Sequence, residues 1–146
     1  MNSSSPLSRR AVISLGGATV LGAGAVTLAA CSTGGAGSTA QAAAGPTLTK
    51  GTTVTSLADI PVGGTASATV EGKPLLLAQP SEGKVVCFSA SCTHQGCTVD
   101  AAAKDFECPC HGSTDAAASG AVTNGPAVNP LAKVAVKISG DTVVIA

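Results

Sequence analysis

The sequence has few aromatic and few charged side chains. Among its 146 residues there is no Trp, no Tyr and only two Phe, and charged residues make up 11%. Because aromatic side chains bury the largest areas, the core has to be built from Val, Leu, Ile and Ala, which each bury less. A small domain with so thin a core commonly depends on covalent or metal cross-links, and six cysteines are present to supply them.

A surface suited to nucleic acid is also missing. The formal net charge is zero, and the two arginines, Arg9 and Arg10, lie in a segment that we expect to be removed. The remainder has six Lys against eight Asp and Glu and offers neither a basic stripe nor aromatic side chains for stacking. We therefore expect no nucleic-acid partner.

The amino terminus has the layout of an export signal. A polar start leads to Ser8-Arg9-Arg10, and residues 11–30 then run without a charge. The arginine pair and the weakly apolar, Gly- and Ala-rich stretch after it resemble a twin-arginine signal, a route that by resemblance carries proteins already folded in the cytoplasm. We predict that residues 1–30 are a twin-arginine-type lipoprotein signal peptide.

Cys31 is the predicted membrane anchor. Leu28-Ala29-Ala30-Cys31 resembles a bacterial lipobox, in which cleavage before the cysteine exposes its thiol for lipid attachment. The alternative is that residues 11–30 are kept as a membrane-spanning segment, since their length suffices. Residues 31–50 are rich in Gly, Ala, Ser and Thr and predict a flexible, lipid-anchored linker that leads to a domain at residues 51–146.

From residue 51 onward the sequence predicts an all-β domain of antiparallel sheets. Short β-branched runs alternate with Gly, Pro, Asn and Asp, and no segment keeps a period of 3.6 residues. Glu71-Gly72-Lys73, Ser139-Gly140-Asp141 and residues 80–83 are predicted turns between consecutive strands. The predicted strands are 52–55, 65–70, 74–79, 84–89, 134–138 and 142–145.

Two short loops hold both histidines and four of the cysteines. The first is C-T-H-Q-G-C at residues 92–97, and the second is C-P-C-H-G-S at residues 108–113. Thiolate and imidazole are ligands that hold iron or zinc, so a transition-metal site is expected here. Cys87 lies in an apolar run and is interpreted as a small buried hydrophobe with no chemistry.

The two loops together resemble the paired boxes of the Rieske iron-sulfur family, and the resemblance extends over about residues 51–146. It implies one [2Fe–2S] cluster bound by Cys92, His94, Cys108 and His111, with two cluster-binding loops at one tip of the fold. It also implies a disulfide between Cys97 and Cys110, and a serine, Ser113, that donates its hydroxyl to a cluster sulfide. Residues 125–131 resemble the proline loop that covers the cluster in this family.

The mixed cysteine and histidine ligation that the resemblance implies predicts the redox chemistry of the site. Two ferric ions, two sulfides and two thiolates sum to zero charge with neutral imidazoles, so an electron is accepted more readily than by a cluster with four thiolates. We expect one-electron transfer at the outer face of the cell membrane, coupled to protonation of the histidines. No acid–base pair or nucleophile is recognisable, so independent catalysis is not expected.

Two positions depart from the family pattern. Asp115 stands at the position where high-potential members of the family resemble one another in carrying Tyr. A carboxylate at this position predicts a lower, mid-range reduction potential. Gln95 replaces the Leu typical of quinol-oxidising members, which makes direct quinol docking doubtful.

The partner is expected to be a redox protein or membrane complex, with the chain acting as a standalone carrier or as the small iron-sulfur subunit of a quinol-oxidising or other oxidoreductase complex. A non-redox metal-binding module, such as a structural zinc site on the same ligands, is a further alternative.

Overall fold

The computed structural model describes residues 44–146. These residues form eleven short strands and one turn of 3₁₀ helix, at Leu57–Asp59. No helix in this part of the chain is long and apolar enough to cross a membrane. The strands are β1 (Thr53–Ser56), β2 (Thr65–Val70), β3 (Lys73–Ser81), β4 (Lys84–Ser89), β5 (Asp100–Ala101), β6 (Asp105–Glu107), β7 (Thr114–Ala116), β8 (Val122–Asn124), β9 (Lys133–Val134), β10 (Val136–Ser139) and β11 (Thr142–Ile145).

The strands assemble into three antiparallel sheets, which confirms the predicted all-β class. The outer sheet has the order β1-β11-β10, and the central sheet has the order β2-β3-β4-β9. The third sheet has the order β5-β6-β7-β8 and follows the first of the two cysteine- and histidine-containing loops, residues 92–97 and 108–113, which we call the motif loops. Each sheet pairs its strands antiparallel.

Strand β3 of the central sheet is buried on both faces. Successive side chains of a strand point to opposite faces, and in β3 five consecutive residues from Leu75 to Gln79 are buried. One face packs into a group that we call the scaffold core: Ile60, Val70, Leu75, Leu77, Cys87, Val134, Val143 and Ile145. The other face packs into the loop core: Leu76, Ala78, Phe88, Ala90, Cys92, Val99, Phe106, Cys108 and Leu131. The two motif loops therefore contribute cysteines to the loop core.

Tight turns join the longer strands. In the β2–β3 hairpin Val70 pairs with Lys73, so the turn is Glu71-Gly72, and both residues have positive φ (51° and 72°). This is the backbone of a type I′ turn, which matches the twist of the flanking strands. The predicted turn is thus present, although Lys73 already belongs to β3 rather than to the turn.

The predicted strands agree with the structure in the scaffold and fall short near the motif loops. The ranges 65–70, 84–89 and 142–145 are confirmed, whereas 134–138 is divided between β9 and β10. The sheet β5-β6-β7-β8 was not predicted at all, because its strands have only two or three residues and no alternation to read.

The end of the segment assigned to the linker lies against the domain. The Thr49 N–H donates to Glu71 Oε1 at 3.1 Å, and Lys73 Nζ donates to the Thr47 carbonyl. Leu48 packs on the scaffold core. The flexible linker remains a prediction for residues 31–43, which lie outside the described residues together with the predicted signal peptide and Cys31.

Candidate metal centre

The two motif loops have the same backbone hydrogen bonds. In the first loop the Cys92 N–H donates to the Cys97 carbonyl, and the Gly96 N–H donates back to Cys92, each at 2.8 Å. In the second loop Cys108 donates to the Ser113 carbonyl at 2.8 Å, and Gly112 donates to Cys108 at 3.0 Å. Each loop is therefore a turn closed by its own backbone hydrogen bonds. The residues inside the turn are 93–95 in the first loop and 109–111 in the second.

A glycine at the same place makes each turn possible. Gly96 has φ 76° and Gly112 has φ 73°, the left-handed region that side chains with a Cβ disfavour. A Cβ at either position would meet no atom within 4 Å, so the constraint is the backbone conformation and not crowding. The glycine of each motif is explained by the shape of its loop.

Cys92 and Cys108 are free thiols that point inwards. Their exposed fractions are 5% and 0%, and neither forms a disulfide. Burial, followed by the neighbouring Cys92 side chain, raises the pKa of the Cys108 thiol. The structure thus brings together two buried thiols, and deprotonation of Cys108 would be favoured by a positive partner, as a bound metal would be.

His94 and His111 lie at the surface, side by side. Both residues are exposed, and their ring centroids are 4.9 Å apart with the ring planes at 89°. Two imidazoles with no carboxylate between them are well suited to share a metal site.

A disulfide ties the loops together. Cys97 and Cys110 are bonded, with their Cα atoms 6.5 Å apart. The Cys108 sulfur lies within 4.8 Å of both bonded sulfurs. Because a disulfide sulfur is not a thiolate, this trio is not itself a metal site. The bridge instead links the second loop to the first, close to the Cys108 thiol.

A third loop covers the site through contacts that sequence reasoning missed. The Ser113 hydroxyl oxygen accepts from the Ala127 N–H at 3.0 Å, and Thr93 Oγ1 donates to the Asn129 carbonyl at 2.6 Å. Asn124 Nδ2 donates to the Gly112 carbonyl at 3.0 Å. The resemblance indicates a covering loop at residues 125–131, but the residues that fasten it carry no sequence signal. In its bond to Ala127 the Ser113 hydroxyl acts only as an acceptor.

Asp115 is buried in the strand after the second loop. It is 1% exposed, and burial raises the pKa of its carboxyl to about 6. Its Oδ1 has no hydrogen-bond partner among the described residues. The departure from the family pattern at this position therefore places an ionisable group inside the loop core.

The donor set fits a [2Fe–2S] cluster with mixed ligands. Two buried thiols can hold one iron and two exposed imidazoles the other, which is the chemistry of a Rieske centre. Apart from Asp115, the loop core carries no charged side chain, which suits a cluster whose oxidised form has no net charge. A structural zinc site would need neither the covering loop nor the disulfide beside its ligands.

Comparisons with known proteins agree with this chemistry. The model of the Rieske [2Fe-2S] domain family matches residues 51–135. The cytochrome b6-f complex iron-sulfur subunit of Gloeobacter violaceus is 51% identical over 61 residues, which are 40% of this chain and 32% of that protein. The chain thus matches about a third of that relative's length.

Solved structures with the same fold include proteins of one domain and parts of larger assemblies. The cyanobacterial plasma membrane Rieske protein PetC3 from Synechocystis PCC 6803 has a TM-score of 0.56 and 30% identity, covering 65% of this chain and 98% of that one. A chain of a hyperthermophilic respiratory Complex III has a TM-score of 0.53 and 25% identity, covering 64% of this chain and 74% of that one. With a family model that spans most of the folded part, the chain belongs to the Rieske [2Fe–2S] domain family, whose domain carries one [2Fe–2S] cluster for electron transfer.

Proposed function

We propose that this protein transfers single electrons through one [2Fe–2S] cluster held by Cys92, His94, Cys108 and His111. The cluster supplies a one-electron redox couple. The buried thiols keep one side of the site away from water, and the two exposed imidazoles bring the other side to the surface. Electrons then need to cross only a histidine ring to reach a docked partner.

Protons have a place in the same proposal. When a histidine binds metal through one ring nitrogen, the other nitrogen remains free, and both His94 and His111 are exposed residues. Ser113 holds the covering loop by accepting the Ala127 N–H, a bond that does not use its hydroxyl hydrogen. We assign that hydrogen to a cluster sulfide, where it would stabilise the reduced state.

The single observation that carries the proposal is the pairing of two free buried thiols with two adjacent exposed imidazoles on matched loops. Electron paramagnetic resonance of the dithionite-reduced full chain should give the signal of a mixed-ligand [2Fe–2S] centre. Iron and acid-labile sulfide should both be present at two per chain, as one [2Fe–2S] cluster requires. A protein that holds zinc and no sulfide would contradict the proposal. Replacement of His94 by Cys is a sharper test, because thiolate ligation should lower the potential without abolishing the cluster.

A standalone carrier is the form of this function that we favour. The chain covers almost all of the PetC3 chain but only about a third of the b6-f subunit it matches. Gln95 follows His94 and is exposed, whereas quinol-oxidising members of the family resemble one another in having an apolar Leu at this position. Purified protein that is reversibly reduced by a membrane fraction, and that co-purifies with no large subunit, is the expected result.

The second candidate is the iron-sulfur subunit of a quinol-oxidising complex. The identity to the b6-f subunit and the likeness to a chain of Complex III favour it. Mild detergent extraction followed by native electrophoresis separates the two candidates. Migration of the tagged chain with a cytochrome-containing complex would support the subunit and contradict the standalone carrier.

The proposed location is the outer face of the cell membrane. Arg9 and Arg10 would direct export of the folded protein, and Cys31 would carry the lipid anchor. Replacement of both arginines by Lys should leave the protein inside the cell. The Cys31→Ala variant should lose acyl labelling, and Cys87→Ala is its matched control. Retention of the label in Cys31→Ala would contradict the lipid anchor.

A further inference from the structure

Asp115 differs from the other buried polar side chains in the described part of the chain. Those are Gln79 and Ser113. The Gln79 amide is within reach of the Ile60 carbonyl (2.6 Å) and the Gly83 N–H (3.1 Å), and Ser113 binds the Ala127 N–H. Asp115 has an oxygen, Oδ1, with no partner among these residues. An unpartnered buried carboxylate is costly, so a reason for its presence is needed.

The carboxyl lies on the same face of its sheet as the proposed ligand thiols. Asp115 in β7 pairs with Phe106 in β6 and with Val122 in β8. Residues directly opposite each other in an antiparallel pair share a face. Phe106 is 0% exposed and belongs to the loop core with Cys92 and Cys108. Asp115 therefore faces the interior on the side where the cluster would sit.

No cation among the described residues holds the negative charge of Asp115. The flanking residues of β6, Asp105 and Glu107, are exposed and lie on the opposite face by strand alternation. Neither β8 nor the neighbours of Asp115 in β7 include a titratable residue. Asp100 in β5, His94 and His111 are exposed, which leaves the thiols of Cys92 and Cys108 as the titratable groups of the loop core. Burial is accordingly the cause that raises the pKa of the carboxyl.

On the basis of the proposed function, we propose that Asp115 takes up a proton when the cluster is reduced. One electron from the donor enters the cluster, and one proton from water binds the Asp115 carboxylate, so the charge inside the loop core does not change. Coulomb repulsion between the added electron and an unpaired carboxylate favours this coupling, because buried charges are poorly screened. The effect is reciprocal, so protonation of Asp115 also favours reduction.

The test is the pH dependence of the midpoint potential of the purified, cluster-loaded full chain. Full coupling of one proton to one electron changes the equilibrium constant of reduction tenfold per pH unit, or 59 mV. The wild-type potential should begin to fall near pH 6, because burial raises the pKa of the carboxyl to about 6. In Asp115→Asn this fall should disappear.

Asp105→Asn is the matched control. It removes an exposed carboxylate from the strand that pairs with β7, so its potential should follow the wild-type pH dependence. Reduced-minus-oxidised infrared difference spectra give a second readout. A C=O band of a protonated carboxylic acid should appear on reduction of the wild type and be absent from Asp115→Asn.

The outcomes separate the inference from the proposed function. A wild-type protein with no [2Fe–2S] signal would defeat the function and the inference together. A normal [2Fe–2S] signal with a wild-type midpoint potential that does not fall near pH 6 would overturn the inference alone. So would equal slopes of potential against pH in wild type and Asp115→Asn. If Asp115→Asn does not fold, the wild-type curve and the infrared band still decide.

Discussion

The two faces of the central sheet are stabilised in different ways. Apart from Ile60 and Val134, the scaffold core consists of apolar side chains from strands of four to nine residues joined by tight hairpins. The loop core is bordered by strands of two or three residues and contains two free thiols. The first face depends on hydrophobic burial. For the second we expect the disulfide, the covering loop and a bound cluster to contribute as well.

The contrast indicates which part of a small, aromatic-poor domain can support a redox centre. Both Phe residues are in the loop core, where Phe88 and Phe106 pack edge to face at 5.8 Å. Gly120 is required beside them, since a Cβ there would lie 2.6 Å from Phe88. The largest side chains of the protein thus support the metal loops, while aliphatic residues suffice on the other face.

The largest difference is expected between two buried cysteines. Cys87 and Cys108 are both 0% exposed and free, but they lie on opposite faces of the sheet. Cys108→Ala should lose the cluster completely, and Cys87→Ala should retain it with a stability loss of about 1 kcal/mol. Burial raises the pKa of Cys87 to about 12, so it stays a thiol and cannot replace a ligand. The visible and paramagnetic resonance spectra of the two variants check this. Loss of the cluster in Cys87→Ala would contradict the division of the two faces.

Two adjacent leucines sharpen the comparison. Leu76 and Leu77 are both 0% exposed and belong to the loop core and the scaffold core, respectively. Truncation of either to Ala should cost about 2–5 kcal/mol of unfolding free energy. Only Leu76→Ala should also speed loss of the cluster, because its cavity adjoins the ligand loops. Urea unfolding followed by far-ultraviolet circular dichroism and by cluster absorbance measures both effects. Equal bleaching rates would show that the faces are not independent.

Removal of the disulfide tests the loop core alone. The Cys97–Cys110 bridge has a sequence separation of 13 residues, and a loop of that size contributes about 3 kcal/mol by restricting the unfolded chain. The double variant Cys97→Ser with Cys110→Ser should unfold at lower urea and release iron faster. A chelator assay of iron release measures the second effect. An unchanged release rate would mean that the loops are held without the bridge.

The smallest effect is expected from pH. The pKa of Asp115 is near 3.8 in the unfolded chain and about 6 in the fold, so the folded state binds more protons between these values. Stability should therefore fall as pH rises from about 4 to about 6 and then level off, with a total of no more than about 3 kcal/mol. Asp115→Asn should remove this fall, and Asp105→Asn should keep it. Urea titrations across this pH range provide the measurement; a stability that rises with pH over the interval would have the wrong sign.

Sequence reasoning predicted the scaffold better than the loop side. Residues 65–70 and 84–89 could be read as strands because their β-branched and apolar residues are bounded by clear turn signals. The range 134–138 was read as one strand, but the chain leaves β4 after Val134 and joins β11 from Val136. Such a change of partner is a property of the assembled sheets. It leaves no local pattern.

The candidate site divides in the same way. The kinds of donor, their spacing and the glycine of each loop are properties of the sequence, because metal preference and left-handed backbone depend on residue type. The family resemblance already implied the Cys97–Cys110 bond that the structure contains. The fold alone decided that Ser113 and Thr93 fasten the covering loop and that Oδ1 of the buried Asp115 has no partner. Those features depend on contacts between segments distant in the chain, and burial and hydrogen bonding exist only once these segments are packed together.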